Sequence, residues 1–305
     1  MTANELNENF GLDAILRFEE HGELTRAQVT LPSCDATIYL QGAHLTAWQP
    51  AGAQPVLFLS ERSAFTPGKA IRGGIPICFP WFGARSDGAP GPSHGFARIS
   101  PWELAFAALM PDTGDGDRLQ LTFVLAPNDL SRSLGFDSFR VAYELLLGKT
   151  LSIRLTVANL GASPLRYEEA LHTYFAVADM HHAPIAGLEG AQYLDKRDNN
   201  EPKHAPEGPL QLTGFSDRVF PANPHAVAIK DEGNRRILHI DKQNSSTTVV
   251  WNPWPEGSAS LSDLGPDDWP HFLCVEAANT ATDAILLEPG ATHTTSLTIS
   301  VETTS

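Results

Sequence analysis

Twenty-four glycines and 23 prolines are spread along the 305-residue chain rather than pooled. They leave few windows long enough for a helix of several turns. The windows between them alternate. Leu119, Leu121, Phe123 and Leu125 are interleaved with Arg118, Gln120 and Thr122, the period-two pattern of a half-buried strand. Phe139, Val141, Tyr143, Leu145 and Leu147 repeat it, as do Leu151, Ile153, Leu155 and Val157, with Gly148-Lys-Thr150 between them as a hairpin turn. Leu297, Ile299 and Val301 form a further run, and residues 36–48 read as two strands about a turn at Gln41-Gly42. Residues 102–109, rich in Ala and Leu, read as a strand by their neighbours, and 262–268 as a single helical turn. The charged, Asn-containing stretch 195–208 with its prolines reads as an exposed loop. No repeat, low-complexity tract or linker divides the chain. The expectation is all-β: one large two-sheet antiparallel β-sandwich over residues 1–305, with a flexible polar segment at about 1–10.

Charge narrows the function. The formal net charge is −15 and the pI about 5.1, whereas a nucleic-acid binder or an anionic-lipid binder needs a basic face. An anionic ligand must therefore be met by a local cluster of basic residues. Cys34, Cys78 and Cys274 are odd in number and far apart, as expected of free thiols in a reducing compartment. The start lacks a secretory pattern and no window is apolar enough to span a membrane, so a cytoplasmic location is expected.

The densest chemistry lies in residues 69–98. Gly73 and Gly74 permit positive φ, while Pro76 and Pro80 remove amide donors. Ile75, Ile77, Cys78, Phe79, Trp81 and Phe82 are too apolar to leave in water, so this irregular segment must be pressed onto a core. Arg72 and Arg98 would then be held at the edge of a packed surface, where a guanidinium can grip a carboxylate or phosphate.

Two strand candidates carry further groups. Over residues 167–179, alternation places Glu168, His172 and Tyr174 on one face and Leu171, Thr173, Phe175 and Val177 on the core face. His172 is thus either a proton-transfer group facing a cleft or a satisfied structural histidine. Over residues 271–279, Glu276 interrupts an apolar run, and such a carboxylate is either paired or raised in pKa for acid–base work. Asp217 precedes Arg218 as a turn or site residue. Trp251 and Trp254 either stack on a sugar or pack a loop. His181-His182 lacks metal-ligand spacing, no phosphate-binding glycine loop is present, and Ser93-His94 has no nucleophile elbow around it.

Taken in order, Ile71-Arg-Gly-Gly-Ile-Pro-Ile-Cys-Phe-Pro80, Ser93-His-Gly-Phe-Ala-Arg98, Leu171-His-Thr-Tyr-Phe175, Asp217-Arg-Val and Val275-Glu-Ala-Ala-Asn279 resemble the hexose-6-phosphate mutarotases. These are also called glucose-6-phosphate 1-epimerases, within the wider aldose 1-epimerase group. The resemblance runs from about Ala36 to Val301. It implies the supersandwich fold shared with galactose mutarotase, no cofactor and no metal, and interconversion of the anomers of a hexose 6-phosphate. It makes His172 and Glu276 catalytic and Arg72, His94, Arg98 and Asp217 substrate contacts. The expected partner is a small sugar phosphate, and the expected state a monomer. In the implied chemistry Glu276 takes the C1 hydroxyl proton and His172 protonates the ring oxygen, the two standing on opposite sides of the C1–O5 unit.

Two other classes compete. A non-catalytic sugar-phosphate binding protein needs the arginines and Asp217 but not a His/Glu pair. A glycoside hydrolase needs a second carboxylate beside Glu276, for which Glu168 and Glu169 are the candidates, only Glu168 sharing the face of His172.

Overall fold

The computed structural model describes residues 1–111 and 116–304. Two eight-stranded sheets dominate, and their ladders are antiparallel. One contains the strictly alternating runs Arg118–Leu125, Phe139–Leu147 and Leu151–Asn159, and the strand Thr292–Thr303, which alternates in its middle part. Their apolar members are buried in a core shared with Leu171, Phe175, Leu273 and Val275 of the other sheet. A fully buried Leu or Phe contributes about 1.5–3 kcal/mol, so this shared layer is what clamps the sheets together. A four-stranded sheet, Leu16–His21 to His44–Pro50, adds Phe18, Val29, Ile38 and Trp48 to the same core. The all-β expectation holds, including the strand at Glu103–Met110 and the hairpin closed at residues 148–150.

The second large sheet carries the site. Its order runs Glu201–His204, Gln192–Asp195, Ser216–Phe220, Thr247–Asn252, Phe272–Asn279, Glu169–Leu171, Ile77–Cys78, with Tyr174–Ala176 also paired to Phe272–Asn279. Phe272–Asn279 is central and wholly buried.

Four local expectations need correction. Residues 195–208 are not a plain loop: Gln192–Asp195 and Glu201–His204 pair as a hairpin across the 3-10 turn Lys196–Asp198. Asn199 and Asn200, at φ 52° and 61°, close it in the left-handed conformation that Asn tolerates. Residues 262–268 hold hydrogen-bonded turns, with Asp268 N–H donating to Gly265 O at 3.2 Å, but no helix; the helical residues nearby are Trp254–Ser258 and Trp269–His271. The single strand expected over 167–179 is three short ones, Leu165–Tyr167, Glu169–Leu171 and Tyr174–Ala176. The N-terminal segment forms the helix Ala3–Phe10, with a Thr2/Glu5 capping box and Leu6 buried.

Candidate active site

The break in the 167–179 segment is what presents His172. The ladder from Leu171↔Ala277 to Tyr174↔Cys274 keeps one register across the gap, so His172 stands directly opposite Glu276 on the central strand. At the gap the backbone turns to the other neighbour: His172 N–H donates to Pro76 O (3.0 Å) and Tyr174 N–H to Gly74 O (2.9 Å). Directly opposed residues have close Cβ atoms, and His172 Nε2 comes to 3.4 Å from Glu276 Oε1. The same register places Asp217 opposite Trp251 and Trp251 opposite Cys274, which brings Asp217 and Trp251 onto that face.

The glycine-rich segment closes one side. A Cβ on Gly73 would lie 2.3 Å from Phe58 O, and one on Gly74 2.3 Å from Leu45 O. Only glycine permits this approach, which buried His44 fixes through Nε2 to Gly73 O at 2.7 Å. Arg72 is thereby delivered to the site, where Nη1 donates to Tyr174 Oη (2.9 Å) and Nη2 pairs with Asp263 (3.1 Å). Tyr174 in turn stacks on His172, ring centroids 4.9 Å apart.

His94, at φ 63°, is held from behind. Gly83 N–H donates to its Nδ1 at 3.3 Å, and Cys78 Sγ lies 3.5 Å from the same nitrogen. In a neutral ring this leaves Nε2 as the donor. Arg98 Nη2 donates to Ser93 O (2.8 Å).

All six residues singled out from sequence, Arg72, His94, Arg98, His172, Asp217 and Glu276, line one cleft of about 300 Å³, together with Phe82, Ser93, Lys196, Val249, Trp251 and Leu261. A larger groove, about 440 Å³, lies beside the N-terminal helix but is lined by one carboxylate and no histidine. Chemistry, not volume, picks out the site. Trp254 packs instead with Trp269 and His181, and His181 pairs with Asp179. Glu168 accepts from Phe82 N–H, Thr280 Oγ1 and Ala281 N–H. Glu169 faces Asn279 and Thr295. Neither glutamate lines the cleft, so neither is the hydrolase partner weighed for Glu276. Two contributors were missed: Lys196, hidden in a stretch read as loop, and Tyr174, whose only sequence signal was its shared face with His172.

Burial sets the electrostatics. It raises the Glu276 carboxyl well above its usual range, with nearby Asp217 adding to the effect and Lys196 and Arg98 opposing it. Burial, then Arg98 and Arg72, pull His172 down to about 3. His94 is likewise pulled well below its usual value by burial, then Arg98 and His172, and burial raises Asp217. Glu276 is 1% exposed, and neither of its oxygens has a hydrogen-bond partner. An unpartnered buried carboxyl costs stability; a ligand hydroxyl would satisfy it.

With that geometry established, comparison with known proteins is specific. Residues 28–300 match the family model "Aldose 1-epimerase". The chain belongs to the aldose 1-epimerase family. Membership makes it an isomerase of the sugar-epimerase kind. It is 35% identical over 268 residues to an Escherichia coli K12 protein provisionally named a glucose-6-phosphate 1-epimerase, covering 88% of this chain and 87% of the other. The crystal structure of a provisionally assigned mutarotase from Salmonella typhimurium superposes with a TM-score of 0.87 at 31% identity, covering 98% and 99% of the two chains. A galactose mutarotase-like protein from Clostridium acetobutylicum shares the fold alone, with a TM-score of 0.72 at 13% identity over 94% of this chain and 98% of that one. Among the described residues no helix is long and apolar enough to cross a membrane.

Proposed function

We propose that this epimerase interconverts the α and β anomers of a hexose 6-phosphate, glucose 6-phosphate first among them, through His172 and Glu276. The observation that carries the reading is a buried carboxyl without a protein partner, 3.4 Å from an imidazole, on the floor of a cleft with three cationic side chains. In the reaction Glu276 accepts the proton of the C1 hydroxyl as His172 gives one to O5; the C1–O5 bond breaks and C1 becomes a carbonyl. Rotation about C1–C2 and reversal of both transfers closes the ring on the other face. Each positioned group supplies about 10²–10⁴-fold. The 3.4 Å separation supports a reading in which the two groups stand side by side at the C1–O5 unit rather than on opposite sides of it. O1 and O5 are bonded to one carbon, so side-by-side groups reach both oxygens from the same side.

The pair needs one proton throughout. Burial of the two groups favours placing it on Glu276 with His172 neutral, the state that follows ring opening. A bound phosphate offsets the positive field of Arg98 and Arg72 that depresses His172, and so moves the proton towards the imidazole. The His94 Nε2–H is suited to donate to a sugar oxygen, and Asp217 to accept from a hydroxyl. The test is the optical rotation of an α-enriched glucose 6-phosphate solution. Catalytic protein should hasten its decay to the equilibrium value. A decay at the spontaneous rate, with the sugar bound, would favour the non-catalytic binding protein.

A further inference from the structure

The cleft holds three cations, and they are not equivalent. Arg72 is already committed: Asp263 neutralises it at 3.1 Å and Tyr174 takes a second N–H. Lys196 and Arg98 have no such partner. Among the described residues neither forms an ion pair; of the acidic residues near Lys196, Asp195 and Asp198 are both taken by Lys203, at 2.9 and 2.8 Å, and Asp217 feels the Lys196 charge without pairing with it. Nε is buried without a partner in Arg98, as it is in Arg72. The Lys196 ammonium lies 5.0 Å from the centroid of the Phe82 ring, and a Cβ on Gly83 would meet it at 3.4 Å.

Ring contacts order these groups along the cleft. Lys196 sits on Phe82, Phe82 against His94 (4.8 Å), His94 against His172 (5.5 Å), His172 on Tyr174 (4.9 Å), and Tyr174 on Arg72. Lys196 and Arg72 therefore terminate the row, with the proton-transfer pair between them. Arg98, hydrogen-bonded to the carbonyl of Ser93 next to His94, stands nearer the middle, where its charge acts on His172 and Tyr174 as well as on His94. We infer that Lys196 and Arg98, not Arg72, hold the 6-phosphate, which makes Lys196 a specificity-determining residue. The Arg72–Asp263 pair faces sugar hydroxyls, for which a neutralised donor–acceptor pair is suited. A chain of net charge −15 repels a phosphate dianion at long range; two cations without an ion-pair partner offset this, and Lys196, at one end of the row, orients the sugar. The inference rests on the hexose-6-phosphate reading given above.

The experiment pairs binding with turnover for wild type, Lys196→Met, Lys196→Arg and Arg72→Met. Calorimetric titration with glucose 6-phosphate should show Lys196→Met weaker by roughly ten- to hundredfold, the effect of one charge-assisted hydrogen bond, with Lys196→Arg restoring most of the loss. Inorganic phosphate should compete in the wild type and not in Lys196→Met. Lys196→Met should lower exchange of glucose 6-phosphate far more than exchange of free glucose, whereas Arg72→Met should lower exchange of both sugars alike. Binding by Lys196→Met within twofold of wild type overturns the inference, as does a selective loss of phosphosugar in Arg72→Met. Wild type that binds glucose 6-phosphate without accelerating its exchange defeats the catalytic reading, while the binding ratio still decides the role of Lys196. No binding by wild type overturns both.

Discussion

His172 Nε2 lies 3.4 Å from Glu276 Oε1 across a register that continues unbroken on either side, yet neither carboxyl oxygen takes a hydrogen bond from the protein. A residue kept for stability would be partnered. Glu276→Gln should therefore leave the melting temperature unchanged or raise it, while lowering anomer exchange by at least about 10². His172→Ala should lose activity to a similar degree. A Glu276→Gln protein that unfolds early would show that the carboxyl stabilises the fold.

The pH profile follows from the same burial. His172 has its pKa pulled down to about 3, and Glu276 is raised well above its usual range, so the pair in the free enzyme keeps a single proton across neutrality. With free glucose, which carries no titrating phosphate, kcat/KM should lack the inflection of an ordinary histidine near 6.5. A histidine-like inflection there would contradict the placement of the proton.

Glu169 offers a stability test away from the chemistry. Burial raises its pKa from 4.5 to about 7, against opposing hydrogen bonds from Thr295 and Asn279. Below pH 4.5 the native and unfolded states both hold the proton. As pH rises to about 7 the unfolded state releases it first, so native stability falls by about 3 kcal/mol and then levels off. Glu169→Gln should remove that slope. Urea midpoints at several pH values check it, and parallel curves for the two proteins would refute it.

Gly95 tests the loop that sets His94. A Cβ there would lie 2.0 Å from Phe79 O at φ 74°, whereas Gly88, at φ 72°, has nothing within 4 Å. Gly88→Ala should cost only the left-handed strain, about 1 kcal/mol, and retain activity. Gly95→Ala should cost more than about 2 kcal/mol and lose activity with it. Equal melting temperatures for the two variants would argue against the close approach.

Much of this was legible because period-two alternation is a strong code. The runs 118–125, 139–147 and 151–159 read as strands and are strands. Once Tyr174 and His172 are assigned to one strand face, their shared orientation follows as well. The rest depends on contacts distant in sequence. The break that turns His172 onto Glu276 needs the carbonyl of Pro76. The neutralisation of Arg72 comes from Asp263, in a segment where a helical turn was expected. The hairpin carrying Lys196 consists of two four-residue strands, one of them containing Pro202 and two charged residues. Such composition is indistinguishable from loop until the strand beside it, Ser216–Phe220, is in place.

The most direct test of the central claim is proton exchange NMR between the α and β anomeric signals of glucose 6-phosphate at equilibrium. Measurements with no protein, wild type, His172→Ala and Glu276→Gln should show exchange well above the spontaneous rate for wild type alone. No acceleration by wild type, or near-normal acceleration by either variant, would contradict the assignment of this pair as the catalytic machinery.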